Sequence, residues 1–137
     1  MLVVIDTNVL VSALLRQNSA PGKILDLVLS GTLRVVLDIR VLTEYQSVLQ
    51  RPRFQLAPEQ VKAVLNFISV SGCWFDSQPL HIAKEDIPDI DDLPFAELAV
   101  SSGAAALITG NVKHYPYLGK FSVKVLTPQM FLSEFDV

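Results

Sequence analysis

The chain has 137 residues, of which half are hydrophobic and only 18% are charged, and its formal net charge is −3. That length fits one domain with a substantial core, and the charged fraction, low against about 25% in globular proteins, excludes a disordered chain. A net negative charge also argues against a generic nucleic-acid binder, which is usually basic. We therefore predict a single domain over residues 1–137, with strands buried on both faces.

The distribution of acids, the single cysteine and the lack of a long apolar stretch indicate which ligands and which cell compartment suit the protein. Acidic residues crowd into the segment 85–92, where a bound divalent cation would offset part of their charge, so nucleic acid stays open as a ligand. Cys73 alone can form neither an internal disulfide nor a zinc cage, and we expect a buried thiol in a reducing compartment. No stretch approaches the ~18 apolar residues of a membrane span, so we predict a cytoplasmic protein without membrane contact.

Strand-like and helix-like segments alternate along the chain. Short apolar runs rich in β-branched residues predict strands, and apolar residues three or four apart predict helices. In chain order we predict a strand at Leu2–Ile5, helices at 8–16 and 21–29, a strand at Arg34–Leu37, helices at 41–50 and from Pro58, a strand at 73–75, a loop at 78–91, a helix at 92–102, strands at 106–109 and 123–126, and a closing helix after Thr127 and Pro128. The predicted caps include Asn8 for the first helix and Gly31 at the end of the second.

This alternation predicts the fold class. Strands separated by helices form parallel pairs with right-handed crossovers. We therefore predict an α/β fold, a three-layer α/β/α sandwich with a mainly parallel, Rossmann-like central sheet.

Polar residues follow several of the predicted strands. Asp6 comes directly after the first strand, Asp38 after the second, and Thr109 to Asn111 after the fourth. Ligands of an open parallel sheet bind beyond the carboxyl ends of its strands. Glu44 lies early in the helix after the second strand, and the Asp91-Asp92 pair opens a later helix. Several carboxylates are thus predicted to converge at one edge of the sheet.

Each of these residues also has a purely structural interpretation. Asp6 and the Asp91-Asp92 pair could cap helices, Glu44 could be a solvated side chain, and Asn111 after a glycine is typical of a turn. The two histidines, His81 and His114, show no metal-ligand spacing and are interpreted as surface residues. Only the joint position of the acids favours a site.

The chemistry that suits such a site is that of a hard divalent cation. Oxygen ligands without cysteine or histidine favour Mg²⁺ or Mn²⁺ over zinc, and such ions promote attack on a phosphodiester without a protein nucleophile. No glycine-rich phosphate loop is present, so nucleotide-cofactor chemistry is not favoured.

Five segments, in order along the whole chain, resemble the PIN-domain nuclease family, in the branch described as toxin components of toxin–antitoxin systems. The opening VIDTNVL, the segment LTEY followed by LQRPRF, the acidic DIDDLPFAELA, the run from Gly103 into Thr109-Gly110-Asn111, and the terminal TPQMFL carry the resemblance.

The resemblance implies a single PIN-like nuclease domain that cleaves RNA with Mg²⁺ or Mn²⁺, binds a protein antitoxin and forms a homodimer. Carried over by position, the metal ligands are Asp6, Glu44 and Asp92, and Asn111 completes the catalytic set where the wider family often has aspartate. Supporting roles fall to Asn8, Asp91 and Thr109. Independently of the family, we predict RNA backbone contacts for the basic residues near these motifs, Arg51, Arg53 and Lys113.

Two other classes of function remain. A phosphoryl-transfer domain of this size would also have an aspartate after a strand. A dehalogenase-like site, however, needs a second aspartate at the position of Asn8. A receiver-like site needs paired acids at the end of the first strand, and this sequence lacks them. A non-catalytic RNA- or protein-binding module that retains the fold is suggested only by Asn111. The sequence therefore favours a metal-dependent endoribonuclease that cleaves single-stranded or structured RNA.

Overall fold

The computed structural model describes residues 1–135, which form a five-stranded sheet whose strands all run parallel. The strands are β1 (Leu2–Ile5), β2 (Arg34–Leu37), β3 (Cys73–Trp74), β4 (Ala106–Ile108) and β5 (Val125–Leu126), in the spatial order β3-β2-β1-β4-β5. Val3 pairs with Val35 on one side and with Ala106 on the other, so β1 is central. A central parallel strand must be apolar throughout, and residues 3–5 are fully buried.

Within residues 1–135, six α-helices cover the sheet: α1 (Thr7–Leu15), α2 (Ala20–Leu29), α3 (Ile39–Leu49), α4 (Pro58–Ser71), α5 (Leu93–Ser102) and α6 (Pro128–Phe135). Helix α2 packs on α1 and α6, and α3 packs on α4 and α5, which gives two helical layers. The predicted three-layer α/β/α sandwich is confirmed. None of these helices combines the length and apolar character needed to cross a bilayer.

Several helix ends follow from single residues. Asp38 caps α3 by accepting a hydrogen bond from the backbone N–H of Val41 at 3.0 Å, so the helix begins two residues earlier than predicted. Thr127 caps α6 as predicted, and Gly31, with φ of 86°, lies just beyond α2. A positive φ strains any residue with a Cβ, so glycine suits the position that ends the helix.

The structure corrects four details of the sequence prediction. Asn8 does not cap α1, because the cap position is Asp6 and Asn8 lies in the first turn. The segment predicted as a loop contains short 3₁₀ turns at Lys84–Asp86 and Ile90–Asp92. Cys73 is half-buried rather than buried, because β3 is a two-residue strand at the edge of the sheet. The last strand is also shorter than predicted, Val125–Leu126.

Candidate active site

The candidate site lies where β1 and β4 end side by side. The chain leaves β1 toward β2 and β3 on one side and returns to β4 on the other, so the connections diverge at this point. Such a divergence opens a crevice at the carboxyl edge of a parallel sheet. Asp6 follows β1 directly, and its backbone N–H donates to the carbonyl of Ile108 at 2.9 Å. The sheet register thus fixes Asp6 beside the residue that follows β4.

Asp6 is a buried carboxylate held by two hydroxyl groups. The residue is 5% exposed, and its Oδ2 accepts hydrogen bonds from Thr109 Oγ1 at 2.8 Å and from the Tyr115 hydroxyl at 2.9 Å. Burial raises the pKa of Asp6, and these two hydrogen bonds oppose the shift because they stabilise the charged form. The two hydrogen bonds therefore fix the position of Asp6 Oδ2 and offset part of the cost of burying its charge.

The turn after β4 is tied to both β1 and α1. Thr109 Oγ1 donates to Asp6 and accepts from the backbone N–H of Asn111 at 3.0 Å. The backbone N–H of Gly110 donates to Asn8 Oδ1 at 3.2 Å. Asn8 therefore positions this turn, and Asn111 stands at the site edge with an exposed side chain.

Glu44 projects from α3 on the other side of Asp6. Its Oε2 accepts a hydrogen bond from Thr7 Oγ1 at 3.3 Å. The neighbouring Tyr45 is completely buried, and its hydroxyl donates to the carbonyl of Ile5 at 2.5 Å. Tyr45 thereby attaches α3 to the end of β1, which brings Glu44 to the same edge as Asp6.

Asp92 completes the set of acids from the far side. It ends the 3₁₀ turn Ile90–Asp92. Its side chain does not cap α5 through a hydrogen bond, so its carboxylate is available for other contacts. Its Oδ2 lies 3.0 Å from His114 Nδ1. Burial, and then the charges of Asp6 and Asp89, raise the pKa of Asp92 to about 6, against the opposing effect of His114. Negative charge is concentrated at this point.

These side chains line one open cleft with a volume of about 370 Å³. Of the residues that the sequence singled out, it contains Asp6, Asn8, Glu44, Arg51, Arg53, Asp92 and Asn111. Thr109 lies beneath, in contact with Asp6. Asp91 and Lys113 are exposed and do not line the cleft, and the role of Lys113 stays a prediction.

Two further corrections concern charged residues. Asp38 caps α3 and pairs with Arg40 at 2.9 Å, outside the cleft, so it does not join the other acids. His114 is not simply a surface residue, because it contacts Asp92 and lines the cleft.

Sequence reasoning missed three residues of the site: Asp89, His114 and Tyr115. Donor atoms of Asp89, Asp92 and His114 all lie within 4.8 Å of one another. The only signal was that His114 and Tyr115 follow Asn111 closely. The spacing in the sequence does not show that the side chain of His114 contacts Asp92, which lies 22 residues earlier.

Of the residues that the structure describes, Asp89, Asp92 and His114 form the cluster with the spacing of metal ligands, and Asp6 and Glu44 line the same cleft outside that cluster. The cleft presents carboxylates from Asp6, Glu44, Asp92 and Asp89, with one imidazole at its side. Oxygen-rich ligands suit Mg²⁺ and Mn²⁺, and the second also accepts a nitrogen ligand. Burial and then the charges of Asp6 and Asp89 raise the pKa of Asp92, and a bound cation would offset those charges.

Comparisons with known proteins agree with this architecture. The PIN domain family matches residues 2–113. An uncharacterized protein of Methanocaldococcus jannaschii is 31% identical over 146 residues, which cover 98% of this chain and 91% of that protein. A chain in the crystal structure of VapBC2 from Rickettsia felis, bound to a DNA fragment from their promoter, is similar in fold, with a TM-score of 0.52 at 18% identity. The match covers 92% of this chain and 97% of that one.

Proposed function

Because the chain belongs to the PIN domain family, whose members are generally nucleases, we propose that it is a metal-dependent endoribonuclease that cleaves single-stranded or structured RNA. One observation carries the proposal: carboxylates from β1, α3 and the turn before α5 converge in a single open cleft. Asp6, Glu44 and Asp92 would hold Mg²⁺ or Mn²⁺. When bound, such a cation supplies positive charge against a phosphodiester and makes water more acidic.

The residues around the carboxylates have separate tasks. The hydroxyls of Thr109 and Tyr115 fix the orientation of Asp6, which matters because small displacements of reacting groups are costly. Burial and the charge of Asp6 raise the pKa of Tyr115, so its hydroxyl keeps its proton and remains a donor. His114 fixes one oxygen of Asp92. The amide of Asn111 is free to orient water or the scissile phosphate.

We propose that the protein is the toxin component of a toxin–antitoxin pair, with a small protein antitoxin as its partner, and that it forms a homodimer in the cytoplasm. The similar fold of a chain in the VapBC2 structure supports a protein antitoxin as the partner. Large apolar side chains also remain exposed at Ile39, Val70 and Trp74, on the side of the edge strand β3. Association would bury such surface.

Cleavage of RNA by the purified protein tests the proposed activity. We expect cleavage with Mg²⁺ or Mn²⁺ and none in EDTA. Asp6→Asn should abolish it, whereas Asp26→Asn, the same change at an exposed position on α2, should leave it intact. Equal cleavage in EDTA would contradict the metal-dependent mechanism.

A non-catalytic RNA- or protein-binding module is the second candidate, and one observation favours it. Asn111, in the turn after β4, is neutral, so the cleft has one charge fewer than an aspartate would give. If the protein binds RNA but cleaves none with any divalent cation, this second function is correct.

A further inference from the structure

Two basic residues line the cleft together with its carboxylates. Arg51 and Arg53 line it beside Glu44, in a segment that we call the arginine turn, Arg51 to Phe54. The turn is locked by a backbone hydrogen bond from the N–H of Phe54 to the carbonyl of Arg51 at 3.1 Å. Within residues 1–135, neither guanidinium forms a salt bridge. Two uncompensated positive charges therefore stand beside an acidic site.

Arg53 is held in a defined orientation by Phe54. Its guanidinium carbon lies 4.8 Å from the centroid of the Phe54 ring, which is a cation–π contact. Phe54 is half-buried and packs against the hydrophobic core, whereas Arg53 is exposed. The guanidinium thus lies over the Phe54 ring, and the Arg53 side chain remains accessible to solvent.

We propose that the arginine turn binds the nucleotide next to the cleaved phosphate of single-stranded RNA. Arg51 pairs with a backbone phosphate, and the base stacks on the Arg53 guanidinium, which Phe54 supports from below. The proposal rests on the proposed ribonuclease function and narrows its substrate. Guanidinium planes and aromatic rings are the surfaces on which proteins stack unpaired bases.

This geometry selects against duplex RNA. In a duplex, both faces of each base are covered by neighbouring bases, and the deep major groove is closed to side chains. Only a base that is already unstacked can lie on Arg53 without the cost of opening the helix. We therefore expect single-stranded RNA to bind more tightly than the same sequence annealed to its complement.

The test measures binding of a short single-stranded RNA that carries 2-aminopurine, whose fluorescence reports stacking, with Ca²⁺ replacing Mg²⁺. Arg53→Lys keeps the charge and removes the plane. It should weaken binding at least about fivefold, the lower range for one stacked base, and abolish the fluorescence change. Arg53→Gln should also lower the salt dependence, by about 0.7 in the slope of log affinity against log salt.

Two further variants complete the series. Phe54→Leu removes the ring below the guanidinium and should resemble Arg53→Lys; should this variant prove unfolded by circular dichroism, Arg53→Lys alone decides. Lys23→Gln removes a charge on α2, outside the cleft lining, and should match the wild type.

Failure of this proposal is distinct from failure of the ribonuclease function. A protein that cleaves RNA with metal, yet binds equally well with Arg53→Lys, refutes only the stacking role. Duplex RNA bound as tightly as single-stranded RNA also refutes it. If Arg53→Lys leaves RNA binding unchanged but weakens binding of an acidic peptide, the turn serves a protein partner instead. A wild-type protein that neither binds nor cleaves RNA refutes both proposals.

Discussion

Asn111 is the neutral residue among the carboxylates of the proposed site. Its backbone is fixed by the bond to Thr109, and its side chain lines the cleft without charge. An amide there can orient water or a phosphate oxygen, but it adds nothing to the attraction of a cation. Metal affinity and turnover should therefore respond differently to changes at this position.

We predict that Asn111→Ala lowers single-turnover cleavage about 10- to 100-fold, as loss of a supporting polar contact often does, with a smaller effect on metal affinity. Asn111→Asp should tighten metal binding, because it adds a charge beside the cation. Cleavage at saturating Mn²⁺, together with a metal titration, separates the two effects. Wild-type rates in the alanine variant would show that Asn111 is only a turn residue.

Individual site residues were predictable where they stand directly after a strand or in a recognisable motif. Asp6, Glu44, Asp92 and Asn111 share the cleft because strand ends and helix starts meet at one edge of a parallel sheet. The contact of His114 with Asp92 was not predictable, because it depends on the path of an irregular segment after β4. The pattern of residue types along the chain gives no signal for a contact between these two residues, which are 22 positions apart.

Helices α3 and α5 are joined by an ion pair behind the cleft. Arg40 in the first turn of α3 contacts Glu97 of α5 at 2.7 Å. Glu97 is only 6% exposed and also accepts the backbone N–H of Leu80 at 3.1 Å. Helix α3 carries Glu44, and α5 begins directly after Asp92. The Arg40–Glu97 ion pair therefore sets the separation of the Glu44 and Asp92 carboxylates.

We predict that Arg40→Gln lowers the free energy of unfolding by about 1–3 kcal/mol, because it leaves the buried Glu97 carboxylate without its cation. It should also weaken metal binding, since α3 and α5 lose a connection. Lys124→Gln, which breaks an exposed ion pair with Glu134, is the matched control and should cost less than about 1 kcal/mol. Chemical denaturation and a Mn²⁺ titration of both variants provide the measurement. Equal losses in both would contradict a positioning role for the Arg40–Glu97 pair.

At the level of elements, type was easier to predict than boundaries. Apolar periodicity identified α2 and α4, and β-branched runs identified β1 and β2. Polar residues with two structural options were harder. Asn8 has the chemistry of a cap, but Asp6 already occupies the cap position, and the Asn8 amide is used to hold Gly110.

The whole molecule should become less stable as its acidic cleft ionises. The pKa of Asp92 rises from 3.8 to about 6 on folding, and that of Asp6 also rises. Between pH 3.8 and about 6, the folded protein retains a proton on Asp92 that the unfolded chain has released. In metal-free protein the free energy of unfolding should therefore fall as pH increases from about 4 to about 6, and Asp92's contribution should be constant outside that window.

Mn²⁺ should reverse this loss, because it binds the ionised carboxylates of the folded state only. At a hundredfold excess over the dissociation constant, the gain is about 2.7 kcal/mol. Urea denaturation across pH 4 to 7, with and without Mn²⁺, checks both effects, and Asp92→Asn should flatten the pH dependence. A metal-free protein that gains stability over the same range would contradict the assignment.

The architecture of the whole molecule was predictable because strand–helix alternation leaves few topologies. All strands are parallel, as expected, but the central position of β1 was not evident from the sequence. It results because the chain passes from β1 to β2 and β3 on one side and then crosses back from β3 to β4 on the other side. The same arrangement creates the crevice that contains the cleft.

The hydrogen bonds to Asp6 also set a time at which activity can begin. Its partners Thr109 and Tyr115 lie 103 and 109 residues further along the chain. A nascent polypeptide, which grows by roughly 5–20 residues per second, cannot assemble these contacts until β4 and the turn after it have left the ribosome. If this protein cuts RNA, a ribosome that synthesises it is therefore exposed to no active enzyme until the chain as far as Tyr115 has emerged.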